Sequence, residues 1–329
     1  MSITAVVQRE PELPVSRGEL SAGVITFLRD TGGPPPPVCV ATADPYGDDL
    51  QLALYVCYEL HYRGFSGIPA AREWDPGLLR VRALLEQRFL GALRTDAARH
   101  TGVDDALAAV SADGAGVPRF LRDSGELWHL REYAAQRSLY HLKEADPHAW
   151  VLPRLWGRAK AGMAAVEFDE FGGGRADRVH ARLFADLMAD LGLNTSYGHY
   201  LDEGSAEVLA TVNLMSLLGL HRALRGALVG HFAAVEIASA PGFGLLAQAM
   251  ERTGAGAAAV FFYGAHVAAA SGREQLVRRE VVGGLLEEEP QLAADIAFGI
   301  DAARYLEDRL AERLLRAWRA GASSLRTTV

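Results

Sequence analysis

The chain has 329 residues, of which 50% are hydrophobic and 22% are charged, and its formal net charge is −8. This composition can bury a large core and excludes a globally disordered chain. The negative charge argues against a nucleic-acid binder, which usually presents a basic face. At about 150 residues per domain, the length allows roughly two domains or one large helical domain.

The cysteine content and the apolar segments indicate in which cellular compartment the protein is expected. The two cysteines, Cys39 and Cys57, exclude a disulfide scaffold and a CxxC metal or redox motif. The N-terminal sequence lacks the apolar core of a signal peptide. The apolar stretch at 208–220 is only 13 residues long, too short to span a bilayer. We therefore expect a soluble, cytoplasmic protein that binds neither nucleic acid nor membrane.

Residues 1–45 are predicted to form an N-terminal extension. A short helix is predicted at 18–30, and the four prolines at 34–37 favour a stiff, extended backbone after it. A short extended piece is predicted at 38–41. The remainder, 46–329, is predicted to be one helical domain, since no later linker is long enough to separate two domains.

Helical periodicity of apolar residues dominates from about residue 49 onward, without the alternation typical of strands. Asp75-Pro76 predicts the start of a helix, and Pro147, the glycines at 172–174 and Pro241 predict breaks. The predicted helices span 49–64, 76–99, 103–112, 126–145, 149–171, 176–192, 204–220, 222–239, 256–271, 273–288 and 291–320. The prediction is therefore an all-α fold.

The chain has no phosphate-binding loop and no nucleophile elbow. The remaining chemistry-bearing residues are carboxylates and imidazoles in otherwise apolar helices: Glu144, Glu170, His180 and His266. These groups suit iron or manganese, and helix bundles build such sites from inward-facing side chains. Taken singly, each has a more ordinary interpretation, either a solvated glutamate near a helix end or a hydrogen-bonded core histidine.

An aromatic stripe precedes Glu144 at helical spacing. It contains Tyr133, Arg137 and Tyr140. A helix face of this composition can line a substrate pocket, and Arg137 can bind a substrate carboxylate. The alternative is that Arg137 is solvated or engaged in a salt bridge within the protein.

The spacing of these residues carries a family resemblance. Glu144 is followed 26 residues later by Glu170-x9-His180, and His266 lies on a late helix. In this spacing, and in segments such as HLKEADPHAW, EFDEFGGG and HARLFADLM, the chain resembles the haem-oxygenase-like di-iron oxidases, or iron-containing redox enzymes. The resemblance covers roughly residues 50–320. It implies a haem-oxygenase-like helical bundle in which Glu144, Glu170, His180 and His266 are iron ligands.

One part of the family pattern is missing. The late helix of the family carries H-x3-D-x2-H, whereas this chain has His266, Ala270 and Arg273. Neither alanine nor arginine offers a lone pair to a metal, so two of six expected ligands are absent. Four ligands suffice for one iron, although two irons or none remain open.

Arg273 suggests what replaces the second metal. We expect its guanidinium to pair with Glu170 or Glu144 and to offset their buried negative charge. The alternative is that Gly272 ends the helix, so that Arg273 reaches solvent.

Two functions from different classes follow from the resemblance. The first is an iron-dependent oxidase or oxygenase that uses O2 on a small amine or amino-acid-like substrate in a natural-product pathway. Reactions of the family include N-oxygenation and oxidative C–C cleavage. The second is a metal-depleted pseudoenzyme, or a partner or binding protein of the same fold. Metal-free chemistry on this fold and assembly as a homodimer also remain open.

Overall fold

The structure, a computed structural model, describes residues 10–30, 39–113 and 116–326. Throughout these ranges the regular elements are helices and no β-strand occurs, which confirms the all-α fold. The α-helices of the described ranges are α1 Glu19–Arg29, α2 Asp48–Glu59, α3 Pro76–Asp96, α4 Val103–Asp113, α5 Gly116–Asp123, α6 Leu127–His141, α7 Ala145–Ala149, α8 Gly157–Glu170, α9 His180–Asp190, α10 Ala206–Leu220, α11 Arg225–Thr253, α12 Ala257–Leu276, α13 Gly284–Glu288 and α14 Ala293–Arg319.

Local sequence signals explain several helix boundaries. Asp75 caps α3, because its Oδ1 accepts hydrogen bonds from the backbone N–H groups of Gly77 (2.8 Å) and Leu78 (3.1 Å). Pro76 occupies the first position of the helix, where a missing N–H costs nothing. The start of α3 predicted from Asp75-Pro76 is therefore confirmed.

The helix predicted at 126–145 is shorter in the structure. It ends at His141, and a turn leads into the short helix α7, which contains Pro147. A continuous helix would need a backbone N–H at Pro147, whereas the first turn of a new helix does not. Glu144 therefore lies in the turn between α6 and α7, three residues beyond the last residue of α6.

Two predicted breaks are wrong. Pro241 does not end a helix, since α11 continues to Thr253 and bends by 47° near the proline. A proline inside a helix can kink it without terminating it when tertiary packing holds both halves. Gly272 does not end α12 either. The helix runs to Leu276 and continues into a π-helical segment, Val277–Gly283.

The core is organised around α10 and α11. Apart from Glu207 and its last residue, Leu220, α10 is buried throughout, as expected for a helix that is apolar on nearly all sides. Helix α11 packs against α12 and α14, and α10 packs against α2, α6 and α14. Of the metal-binding candidates, His266 lies on α12, which packs directly against α11.

The N-terminal region is only partly described. Helix α1 packs against α2, and its residues Leu20, Val24 and Leu28 are buried in the same core as the rest of the chain. The predicted proline-rich break and residue 38 lie outside the described residues. Residues 39–41 form no strand. A domain boundary at residue 45 stays a prediction.

Among the described residues, no single helix is long and apolar enough to cross a membrane. One bent pair, Arg222–Ala238 with Pro241–Thr253, meets the length and composition criteria together.

Candidate metal centre and adjoining cavity

Five side chains that are able to bind a metal meet at the ends of α6, α8 and α9 and on the middle of α12. They form two overlapping groups, His141, Glu144 and His180, and Glu170, His180 and His266. Within each group the ligand atoms all lie within 4.8 Å of one another. His180 belongs to both groups, so the five residues form one cluster.

His180 is the centre of this cluster. Its Nε2 lies 2.9 Å from Glu144 Oε2 and 3.1 Å from His141 Nδ1. Its Nδ1 lies 2.9 Å from Glu170 Oε2 and 3.1 Å from His266 Nε2. Both ring nitrogens of His180 therefore face potential metal ligands.

A glycine turn brings Glu170 and His180 together. Glu170 is the last residue of α8, and Gly172 follows with a φ of +80°, which favours glycine. A Cβ on Gly172 would lie 2.7 Å from the backbone nitrogen of Val179. This close approach folds the chain back so that α9 begins with His180 beside the end of α8.

The tautomer of His266 suits a ligand role. Its Nδ1 donates to the carbonyl of Phe262, at 2.6 Å, one helical turn earlier. The lone pair is therefore on Nε2, which is the atom near His180. Metal-binding histidines commonly use one nitrogen for such a hydrogen bond and the other for the metal.

The donor types fit a metal ion. Each ring nitrogen of His180 faces one imidazole and one carboxylate, which is a combination that suits iron. Glu170 Oε2 is buried and has no hydrogen-bond partner among the described residues, despite its proximity to His180. Buried polar atoms are normally satisfied, so an unsatisfied oxygen among four other ligand groups indicates a position for a cation.

The residues of the cluster strongly shift one another's pKa values. Burial favours neutral His180, but the carboxylates of Glu144 and Glu170 outweigh it and raise the pKa of His180 to about 10. Burial opposes the charged forms of Glu144 and Glu170 as well, yet His180 holds the pKa of both below its usual range. Burial lowers the pKa of His141 to about 4, and Glu144 opposes this shift only partly. Without a metal, a protonated His180 thus compensates the two carboxylates, and a metal ion bound to His180 would take the place of its proton.

Arg273 approaches the cluster from α12. Its Nη1 donates to Glu170 Oε1 at 2.5 Å and to Glu236 Oε2 at 3.3 Å. The expected ion pair with Glu170 is therefore confirmed, and the alternative in which Arg273 reaches solvent is wrong. Since a guanidinium has no lone pair, the residues at this end of the cluster do not fit a second metal.

Two further buried glutamates, Glu236 and Glu167, interact with Glu170. Burial raises the pKa of Glu236 above its usual range, although Arg273 opposes this shift. Burial also raises the pKa of Glu167 to about 9, and Glu170 and Glu236 add to the effect. Both carboxyl oxygens of Glu167 are buried without a hydrogen-bond partner among the described residues. Burial and the neighbouring carboxylates thus favour the neutral form of Glu167.

A cavity of about 220 Å³ adjoins the cluster. Its wall includes His141 and Glu144, which makes the ligand cluster part of its surface. Tyr133, Arg137 and Tyr140 also line it, on the same face of α6. Aliphatic and aromatic side chains form much of the remaining wall: Val110, Val117, Val235, Phe243, Leu246 and Leu314.

The structure brings together the four residues predicted as metal ligands, and it places the three predicted substrate-binding residues on the wall of the adjoining cavity. Their roles stay predictions. Sequence reasoning missed His141, although it lies three residues before Glu144 and would share a face with it in the helix predicted at 126–145. It also missed the contact of Glu236 with Arg273, for which the sequence carries no local signal.

The match to a known family covers the ligand cluster and most of the residues that line the cavity. The iron-containing redox enzyme family matches residues 131–308, which is 178 of the 329 residues. The chain therefore belongs to the family of iron-containing redox enzymes. Among curated proteins, no sequence matches this chain.

Proposed function

We propose that this chain is an O2-dependent iron oxidase or oxygenase that acts on a small amine or amino-acid-like substrate. Its reaction would be N-oxygenation or oxidative C–C cleavage in a natural-product pathway. The observation that carries this proposal is that His141 and Glu144 belong to both the ligand cluster and the cavity wall. A molecule in the cavity would therefore lie against the metal ligands.

Each part of the site has a distinct task in this proposal. His180, His266 and at least one of Glu144 and Glu170 would hold a single iron, with His141 as an additional donor. Iron bound there supplies O2 activation and electron transfer, which no protein side chain provides. The aliphatic wall of the cavity would exclude water from the substrate, as ligand sites of this kind commonly do.

The three residues on the face of α6 would position the substrate. Tyr133 and Tyr140 are buried and offer aromatic surface, and the guanidinium carbon of Arg137 lies 4.8 Å from the centre of the Tyr140 ring. This contact restricts the orientation of the guanidinium, so that it can present hydrogen-bond donors in a fixed direction.

Consumption of O2 by the iron-loaded protein tests the proposal. Protein loaded with Fe(II) without oxygen should consume O2 faster than an equal amount of free Fe(II) when air is admitted. His180→Ala should abolish this excess. His148→Gln is the matched control, because His148 is a buried histidine outside the two ligand groups. Equal rates for the wild type and His180→Ala would reject the proposal.

One observation favours a second candidate, a metal-depleted pseudoenzyme or binding protein. Arg273 already supplies a fixed positive charge to Glu170 and Glu236. Such a charge stabilises buried carboxylates without a metal. If the protein retains no iron after anaerobic loading while it folds normally, this second candidate replaces the first.

A further inference from the structure

Lys143 and Glu144 are consecutive residues of the turn between α6 and α7, yet their side chains reach different surroundings. The carboxylate of Glu144 lies 2.9 Å from Nε2 of His180 in the ligand cluster. The ammonium group of Lys143 lies 2.5 Å from Oε2 of Glu59, the last residue of α2. The side chains of Lys143 and Glu59 are 1% and 0% exposed. One turn therefore joins the ligand cluster to a buried ion pair on another helix.

Aromatic rings surround the ammonium group of this pair. Nζ of Lys143 lies 4.7 Å from the centre of the Tyr55 ring, 4.6 Å from that of Tyr62 and 5.8 Å from that of Tyr197. A cation within about 6 Å of a ring centre is attracted to the ring, and more strongly where water is excluded. The Tyr197 hydroxyl also lies 2.8 Å and 2.9 Å from the two carboxylate oxygens of Glu59. Both partners of the ion pair are thus held by further contacts.

The backbone of the turn departs from α-helical hydrogen bonding at Lys143. Its N–H donates to the carbonyl of Tyr140, three residues back, at 3.1 Å. Its own carbonyl accepts from the N–H of Asp146 at 2.9 Å, because Pro147 has no N–H with which to make the bond of a continuous helix. The side chain of Lys143 therefore supplies a constraint on this turn that regular helical bonds do not.

We infer that Lys143 is a positioning residue: its ion pair with Glu59 fixes the turn between α6 and α7 and thereby holds the carboxylate of Glu144 at the metal centre. Lys143 acts through Glu144 and itself contacts neither metal nor substrate. This inference rests on the proposed function, because it takes Glu144 as one of the metal ligands.

The anchor of Lys143 lies outside the residues that match the family. The match covers residues 131–308, which include Lys143, Tyr197 and the ligand cluster, whereas Tyr55 and Glu59 of α2 precede it. Helix α2 thus contributes to the metal centre through Lys143, although the five clustered ligand candidates lie on other parts of the chain.

Metal binding is sensitive to a constraint of this kind. Ligands have to be held within about 0.5 Å of their productive positions by the residues around them. Glu144 Oε2 contacts Nε2 of His180 at 2.9 Å and Nδ1 of His141 at 2.8 Å. A shift of this carboxylate would therefore change its relation to two other ligand candidates at once.

Titration of the metal-free protein with Co(II), followed by visible absorption, tests the inference. Lys143→Met should weaken Co(II) binding at least about tenfold, as changes to residues that orient metal ligands typically do. The spectrum of bound Co(II) should change as well, because it reports the geometry of the ligands.

The double variant Lys143→Met with Glu59→Gln separates positioning from stability. It leaves no charged carboxylate without a cation, so it should be more stable than Lys143→Met alone. Its affinity for Co(II) should nevertheless stay at least about tenfold below that of the wild type, because the anchor is still missing. If Lys143 only stabilised the fold, the affinity would recover together with the stability, and this result would overturn the inference.

Asp301→Asn is the matched control for a change in a buried polar contact. Asp301 lies on α14 and accepts hydrogen bonds from the backbone N–H groups of Arg99 and His100, both at 2.7 Å. It is 5% exposed and belongs to neither ligand group. The variant should therefore alter the affinity for Co(II) less than about twofold, whatever its stability.

Crystal structures of the metal-free wild type and double variant keep the outcome separable from that of the proposed function. The double variant should displace the Glu144 carboxylate by about 1 Å or more, a misplacement that is large for a functional group. An unchanged contact between Glu144 and His180 would overturn the inference even if the wild type binds no Co(II), which would itself reject the proposed metal site. A wild type and a double variant that bind Co(II) equally well reject only the role of Lys143.

Discussion

Arg273 lies two helical turns beyond His266 on α12 and places its Nη1 2.5 Å from Glu170 Oε1. The same nitrogen lies 3.3 Å from Glu236 Oε2, so one guanidinium joins carboxylates from α8 and α11. Residues at i and i+7 share a helical face, which explains how Arg273 and His266 approach the same cluster. Arg273 thus occupies the position at which a second histidine is expected on this helix.

The ion pair of Arg273 should contribute measurably to stability. Arg273→Ala removes the cation that contacts both Glu170 and Glu236, and we expect a loss of about 3 kcal/mol in the free energy of unfolding. Urea denaturation without added metal measures this loss. The control is Arg182→Ala, which breaks an exposed pair on α9 and should cost less than about 0.5 kcal/mol. A similarly small loss for Arg273→Ala would contradict the structural role of the pair.

Restoring the missing ligands should change the iron stoichiometry. We expect Ala270→Asp combined with Arg273→His to raise iron uptake from about one towards two ions per chain, since carboxylate and imidazole bind iron and the guanidinium is removed. Iron analysis after anaerobic loading and desalting measures it. Ala270→Asn with Arg273→Gln is the matched control and should not show the increase. Two ions in the unaltered protein would show that other residues have replaced the missing ligands.

His148 and His231 should make the protein less stable in acid. His148 Nε2 lies 3.1 Å from His231 Nδ1, and burial lowers the pKa of His148 to about 4. The unfolded chain therefore binds more protons than the folded one between about pH 4 and pH 6.5, so stability falls as the pH falls through this window. From pH 7 to pH 5, His148 alone should account for a loss of about 2 kcal/mol.

His148→Gln tests this assignment through the pH dependence of urea unfolding. The variant should lose less stability than the wild type between pH 7 and pH 5, whatever its stability at pH 7. His199→Gln, at an exposed histidine, should keep the wild-type slope. If His148→Gln also keeps that slope, protonation of His148 is not what destabilises the protein in acid.

A second buried ion pair involves Lys143, the residue before Glu144 in the chain. Lys143 Nζ lies 2.5 Å from Glu59 Oε2, and the Tyr197 hydroxyl donates to the same carboxylate at 2.8–2.9 Å. Lys143→Met leaves Glu59 buried without a cation and should cost about 3–5 kcal/mol. The double change with Glu59→Gln should cost less than Lys143→Met alone. Urea denaturation measures these losses. If the double variant loses as much stability as Lys143→Met alone, or as much as the two single variants together, Lys143 and Glu59 are not coupled.

Much of the cluster could be predicted because it depends on local spacing. The nine residues between Glu170 and His180 contain three consecutive glycines, and such a run permits the tight reversal that the structure shows. The helical phase of His266 and Arg273 also places both on one face, provided that the helix is continuous. The fold class followed from periodicity over many turns, which averages out errors at single residues.

The remaining features depend on tertiary contacts that the sequence does not encode locally. Pro241 predicts a helix end, yet packing of α11 against α12 and α14 maintains the helix on both sides of the bend. Gly272 likewise predicts an end of α12, yet the helix continues through this residue. Glu236 is one polar residue in an apolar helix, and only the approach of α12 makes it a partner of Arg273.

The amount of iron that the unaltered protein retains tests the proposed single metal site most directly. The protein should be loaded with Fe(II) without oxygen, desalted and analysed for iron per chain, in parallel with His180→Ala. We expect about one iron per chain in the wild type and none in His180→Ala, because His180 belongs to both ligand groups. No iron in the wild type, two irons, or one iron that persists in His180→Ala would contradict this site.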